Sequence, residues 1–160
     1  MTNIKICILL IYLLIGLSRQ EINYTYVGEE IKIFKELEPL KIEKVFATYY
    51  GPMTGYGPDC IGCSGITASG YNVLNNIYYD DTEYGKVRIV AADKSLPFGT
   101  IIRVKNLNIY KDDIIAIVLD RGSAIGFNKN SYFDLLYKSE NDTNFFGKRY
   151  ATFEVLRYGY

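Results

Sequence analysis

Three aspartates stand out by what surrounds them. Asp93 ends the run Val90-Ala91-Ala92-Asp93, Asp120 ends Ile117-Val118-Leu119-Asp120, and Asp134 follows Tyr132-Phe133 and precedes Leu135-Leu136. A carboxylate that ends or directly follows an apolar strand, with glycines just beyond, can line a barrel mouth where backbone and ligand approach closely. One such aspartate alone would read as a turn former capping nearby backbone N–H groups. Three in one short chain favour a shared site. Its chemistry must run on carboxylates, because the sequence contains no histidine. That excludes Ser-His-Asp and Cys-His nucleophilic sites and histidine-ligated zinc. Acid–base work falls to Asp, Glu, Tyr, Lys or Cys. Glycosidic cleavage suits such a set, since it needs a protonated carboxylic acid at the leaving oxygen and negative charge near an oxocarbenium-like centre. Like charges supply the first condition by raising one partner's pKa above the ~3.9 of a free aspartate. No metal or organic cofactor is required, and none is expected.

The elements that would position these residues are short strands. Sixteen tyrosines and fourteen glycines, against four prolines, describe a compact, turn-rich β protein. From Val45 onward β-branched and aromatic runs alternate with turn signals. The expected strands are Val45 to Tyr50, Val87 to Ala92, Thr100 to Lys105, Ile114 to Leu119 and Tyr150 to Arg157. Gly51-Pro52, Gly57-Pro58, Leu96-Pro97-Phe98-Gly99, Asn106-Leu107-Asn108 and Asp120-Arg121-Gly122 read as the turns between them. Ser139 to Lys148 reads as one short helix, with Ser139 as N-cap and Asp142 completing a capping box. A small closed barrel suits this pattern, because closure removes unpaired sheet edges.

The 160 residues accommodate one domain, a targeting segment and a linker. Lys5 and the apolar run Ile6 to Leu17 make residues 1–19 a signal peptide or an uncleaved membrane anchor. The run is short for a bilayer ~30 Å thick, which favours the signal peptide. Residues 20–44, dense in Glu and Lys and interrupted by Pro39, read as a charged linker, and residues 45–160 as the domain. Either reading of the first segment puts the domain outside the cytoplasm, secreted or held in the cell envelope, with the membrane touched only through that segment. Basic and acidic residues balance at 18 each, so nothing favours a nucleic-acid partner. A monomer is expected. Beyond the targeting segment the only cysteines are Cys60 and Cys63, an even pair in an oxidising compartment. A disulfide across so small a loop is worth roughly 2 kcal/mol. No βαβ pattern surrounds the pair to suggest a redox site. Tyr49, Tyr50, Tyr56, Tyr71, Tyr78 and Tyr79 lie where aromatic faces could stack on sugar rings. For most of them the preference of tyrosine for half-buried strands is explanation enough.

Four motifs occur in order: Thr67-Ala68-Ser69-Gly70; Ala91-Ala92-Asp93 with Pro97-Phe98-Gly99-Thr100; Asp120-Arg121-Gly122-Ser123-Ala124-Ile125-Gly126; and Phe133-Asp134-Leu135. Together, over about Val45 to Tyr160, they resemble the three-aspartate (3D) domain of bacterial and phage cell-wall proteins. That family is similar to the catalytic barrel of membrane-bound lytic transglycosylase A and to RlpA-like proteins. The resemblance implies a mainly β fold, a small six-stranded double-psi β-barrel with one or two short helices. It implies cleavage of peptidoglycan glycan strands, as a lytic transglycosylase or an O-glycosyl hydrolase. Asp134 would be the general acid and then base, and Asp120 and Asp93 the supporting aspartates. Thr67, Ser69, Gly122, Ser123 and Ala124 would border the substrate cleft. The chain departs from the family pattern where Ser123 replaces a second glycine, where no lysine follows Ile125, and where Phe127 to Ser131 lengthens the interval from Asp120 to Asp134. Two rival readings remain: a non-catalytic wall-binding or expansin-like wall-loosening module, and a virion protein that uses the same activity for entry.

Overall fold

A computed structural model of the chain describes residues 43–160. The expected targeting segment, 1–19, and nearly all of the expected linker, 20–44, lie outside the described residues. Seven strands carry the fold: β1 (Ala47–Tyr56), β2 (Tyr78–Asp81), β3 (Gly85–Ala92), β4 (Ile101–Lys105), β5 (Ile114–Asp120), β6 (Phe133–Leu136) and β7 (Arg149–Arg157). Six of them close into a ring in the order β3-β5-β4-β7-β1-β6, with β6 returning to β3. This is the small, mainly β, six-stranded barrel expected from the sequence. Two of its pairings are parallel, β1 with β6 and β3 with β5. The hairpin strand β2 shares an edge of β3 with β6, pairing the first half of β3 while β6 pairs the second.

Strand alternation sorts the apolar residues onto two faces. Met53, Val90, Val118, Phe133, Leu135, Phe153 and Val155 fill the barrel interior. Val87, Ile89, Ile101, Ile117, Leu119, Leu136 and Leu156 point outward. There they are covered by the long excursion between β1 and β3, through Val73, Tyr71 and Tyr79. The Phe133 and Phe153 rings meet at 4.4 Å in the interior.

Three local expectations are corrected. Gly51-Pro52 is no turn: both residues lie inside β1, which runs on to Tyr56. The Pro52 carbonyl still accepts from Tyr132 N–H, and the Tyr132 ring occupies the place that a Cβ on Gly51 would need. Glycine at this inward position is therefore a packing requirement. The expected helix from Ser139 to Lys148 is a single 3-10 turn, Asn141–Thr143. Asp142 N–H does bond the Ser139 hydroxyl, at 3.3 Å, but no buried face follows to extend a helix. Asp134 does not end a strand; it sits within β6.

Candidate functional site

Asp134 is fixed by its neighbours on both sides. In register, it lies opposite Thr54 of β1 and opposite Ala91 of β3. Ala91 in turn lies opposite Asp120, at the end of β5, where the register shifts after Val90. The row Thr54, Asp134, Ala91, Asp120 thus crosses four strands and places the two aspartates on either side of an alanine. Asp134 belongs to the outward face, since Phe133 and Leu135 take the inward positions of β6, and Asp120 turns to the same face, where Tyr56 bonds it. The residue between the two aspartates, Ala91, is small and buried.

The two carboxylates are treated differently. Asp120 is well supplied with donors. Tyr56 OH donates to its Oδ2 at 2.7 Å, and Ala68 N–H and Arg121 N–H both donate to its Oδ1 at 2.8 Å. Asp134 Oδ1 is buried and has no hydrogen-bond partner. Burial pushes the Asp134 pKa up to about 6, the Thr54 hydroxyl opposes the rise, and the negative charges of Glu140 and Asp120 add to it. An unsatisfied buried carboxylate oxygen is costly when ionised, and protonation removes that cost. Below about pH 6 the site therefore holds a proton on Asp134, beside an Asp120 that three donors engage.

Tyr56 links the pair. Its phenol is raised well above the usual range, first by burial and then by Asp120 and Asp134, so it stays a donor. The sequence placed Tyr56 among six tyrosines with nothing to single it out. Its signal is positional: it follows Thr54 by two residues and so shares the outward face of β1. Glu140 was not anticipated at all. Its Oε2 accepts from Gly57 N–H at 2.8 Å, and its backbone presses so close to Gly57 that no Cβ would fit there.

The residues expected to border the cleft divide into two groups. Thr67 and Ser69 form a turn against the end of β5: their hydroxyls are 3.0 Å apart, Ser69 N–H bonds Leu119 O, and Tyr71 N–H bonds Thr67 Oγ1. That turn presents Ala68 N–H to Asp120. Gly122, Ser123 and Ala124 form the exposed turn after β5, closed by Ile125 N–H to Gly122 O. Asp93 faces its own loop. Ser95 N–H donates to its Oδ1 at 2.9 Å, and Ser95, the Phe127 N–H and nearby Arg121 hold its carboxyl below the usual range. Arg121 lies between the two groups. It reaches Leu96 O at 2.7 Å and Ala92 O at 3.3 Å, with its guanidinium over the Phe98 ring. The structure thus brings Asp120 and Asp134 together and leaves Asp93 as a brace for the adjoining loop.

The longer interval before Asp134 is absorbed outside the row. Ile125 bridges Ser131, and Phe127 between them stacks on Tyr49 at 4.5 Å and meets Tyr132 edge-on. The extra residues pack as a loop, and β6 keeps its register. Cys60 and Cys63 are bonded to each other, with Cα atoms 5.1 Å apart. Their loop adjoins Gly57, through Cys60 N–H to Gly57 O, and so borders the segment that holds Glu140. Among the described residues, no cluster of His, Cys, Asp and Glu has the makings of a metal site.

No family model matches the chain. It is 35% identical over 98 residues to the "SPbeta prophage-derived uncharacterized protein YorM" of Bacillus subtilis (strain 168), a stretch covering 60% of this chain and 37% of that protein. It is 29% identical over 104 residues to the "Putative cell wall shaping protein YabE" of the same organism, covering 64% of this chain and 21% of that protein. The chain therefore spans little more than a third of one relative and about a fifth of the other.

Proposed function

We propose that this chain acts on the bacterial cell wall outside the cytoplasm and cleaves peptidoglycan glycan strands as a lytic transglycosylase. The observation that carries the reading is Asp134, its Oδ1 buried without a partner and its pKa raised to about 6, beside an Asp120 that three donors engage. The relative named for cell wall shaping and the Cys60–Cys63 bond support the location.

Protonated Asp134 donates to the glycosidic oxygen as the C1–O bond breaks. The negative charge of Asp120 lies across Ala91 from it, where positive charge develops at C1. The C6 hydroxyl of the same muramic acid then attacks C1, and its proton returns to Asp134. That attack is intramolecular, so proximity replaces a second catalytic carboxylate. The product is a 1,6-anhydromuramyl end. Three donors, from Tyr56, Ala68 and Arg121, already engage Asp120, which suits it to hold charge more than to activate water.

Incubating the protein with purified peptidoglycan and weighing the soluble fragments tests this directly. Anhydro ends are lighter than hydrolysed ends by one water. Reducing ends appearing in step with cleavage would show a hydrolase, and intact strands that remain bound would favour the wall-binding module.

A further inference from the structure

Beyond the carboxylate row, the outward face of β1 continues as a line of side chains that the barrel does not use. Ala47, Tyr49 and Met53 pack toward the interior. Thr48, Tyr50, Pro52 and Thr54 therefore point outward. On β7 the same holds, with Ala151, Phe153 and Val155 inward and Tyr150 and Thr152 outward. Register sets Tyr150 opposite Pro52 and Thr152 opposite Tyr50. The Tyr50 and Tyr150 rings lie 5.9 Å apart, tilted by 32°, and are 69% and 57% exposed. Farther back, Phe46 is also about half exposed, with its edge toward Tyr158.

Strand preference explains why tyrosines occur here, but not why two adjacent rings face solvent in line with a buried acid. At ~3.3 Å per residue, Tyr150 and Pro52 lie about 7 Å from the Thr54–Asp134 level, Tyr50 about 13 Å and Phe46 about 26 Å. That is the span of a few pyranose rings. Aromatic faces stack on the C–H faces of sugars, and the Thr48 and Thr152 hydroxyls beside them suit sugar hydroxyls. Charge on this face nearly cancels: Glu154 is paired with Lys105 at 3.1 Å and Arg103 at 3.3 Å, Glu43 is paired with Arg103, and Lys44 lies over the Phe46 ring. A nearly neutral aromatic surface fits uncharged sugar rings better than a polyanion.

We propose that the outward face of β1 and β7, from Thr54 through Tyr150 and Tyr50 to Phe46, is a docking track for the glycan strand on one side of the bond to be cleaved. The track rests on the reading of Asp134 as the acid only for where that bond lies. A strand seated on it is held by stacking, so the track governs affinity for long strands and leaves the chemical step alone.

The test uses the whole chain with Tyr50→Thr and Tyr150→Thr together, replacements that keep strand preference at exposed positions. In an Asp134→Asn background, binding to insoluble peptidoglycan sacculi should weaken about tenfold, the loss expected when stacked rings are removed. In the active chain, KM for long strands should rise by about the same factor, with kcat and the rate on short soluble fragments unchanged. Tyr50→Phe with Tyr150→Phe keeps both rings and should keep the binding. Sacculus binding that is absent in the parent, or unchanged by the threonine pair, overturns the track, as does an equal loss on short fragments. If the parent cleaves nothing while sacculus binding still falls with the threonine pair, the track stands and the acid assignment to Asp134 fails.

Discussion

Asp81 and Asp134 are both carboxylates packed against the outside of the same barrel, and their surroundings are opposite. Asp81, at the end of the β2–β3 hairpin, accepts from Glu83 N–H at 2.9 Å, from Tyr84 N–H at 3.0 Å and from both ends of the Arg157 fork. Arg157 above all, helped by those backbone donors, lowers the Asp81 pKa to about 2. Among the described residues no cation pairs with Asp134, one of its oxygens has no donor, and its pKa rises to about 6. A carboxylate whose lone pairs are filled joins parts of the chain. One left short of donors is available to carry a proton. Deeper burial and a missing donor raise Asp134, while the Arg157 fork outweighs burial at Asp81.

The contrast is broken most severely at Asp134. Asp134→Asn keeps the size and removes the proton, and strand cleavage should fall by ~10²-fold or more if the residue is the acid. The same change should stabilise the fold at neutral pH. A raised folded-state pKa means that the native chain holds its proton where the unfolded chain has lost it. Wild-type stability therefore declines as pH rises from about 4 to about 6, and the penalty persists above that. Asn escapes it, by on the order of 2 kcal/mol, readable in urea midpoints at pH 7.5 against pH 4. Near-normal cleavage by Asp134→Asn would move the proton work to Asp120. In the wild-type chain, kcat/KM should be level below about pH 6 and fall above it as Asp134 loses its proton.

Tyr56→Phe sharpens the comparison by taking a donor from Asp120 Oδ2. Turnover should drop by about tenfold, the usual cost of removing a hydrogen bond to a charged group. Melting temperature provides the control for a purely structural loss. At the other carboxylate, Asp81→Asn should leave cleavage intact and cost about 1 kcal/mol of stability at neutral pH, discounted because Arg157 is partly exposed. Here the folded-state pKa is lowered. The stability that Asp81 contributes is present above about pH 4 and is lost as pH falls toward 2. Chemical denaturation across that range reads it, and an Asp81→Asn chain with a wild-type acid limb would contradict the assignment. The smallest effect is expected from Glu140→Gln. It keeps the bond to Gly57 N–H and removes one of the charges that raise Asp134. The falling limb of the pH profile should move slightly to lower pH, with kcat on the plateau unchanged.

The runs rich in β-branched residues, Val87 to Ala92, Thr100 to Lys105 and Ile114 to Leu119, were legible as strands, and both of their faces are buried or half-buried. β2 and β6 were not, because four residues show too little alternation to register. The extension of β1 was hidden by Gly51-Pro52, a dipeptide that signals a turn locally and is overruled by the Tyr132 ring packed on Gly51. The motif order around Asp120 and Asp134 marked the pair before any coordinates. Their separation by one alanine depends on a register shift in β3 and β5, which no local pattern encodes. Asp93 shared the same sequence signature and lies outside the row, accepting from Ser95 two residues later. Glu140 was invisible because its link to Gly57 spans the chain from the 3-10 turn back to the end of β1.

The brevity of β6 has a consequence for how the protein comes into being. Its four residues close the ring, pairing Met53 to Tyr56 on one side and Val90 to Ala92 on the other. Neither partner is its sequence neighbour, so β6 is held only once stretches tens of residues apart have met. Such non-local pairings form slowly and late relative to local hairpins such as β2–β3. The environment that keeps a proton on Asp134 is made by those same pairings. An unfolded chain, or one opened by local unfolding, therefore carries an ordinary surface aspartate. On the proposed reading of Asp134 as the acid, completion of the fold is the step that raises its pKa and so arms it.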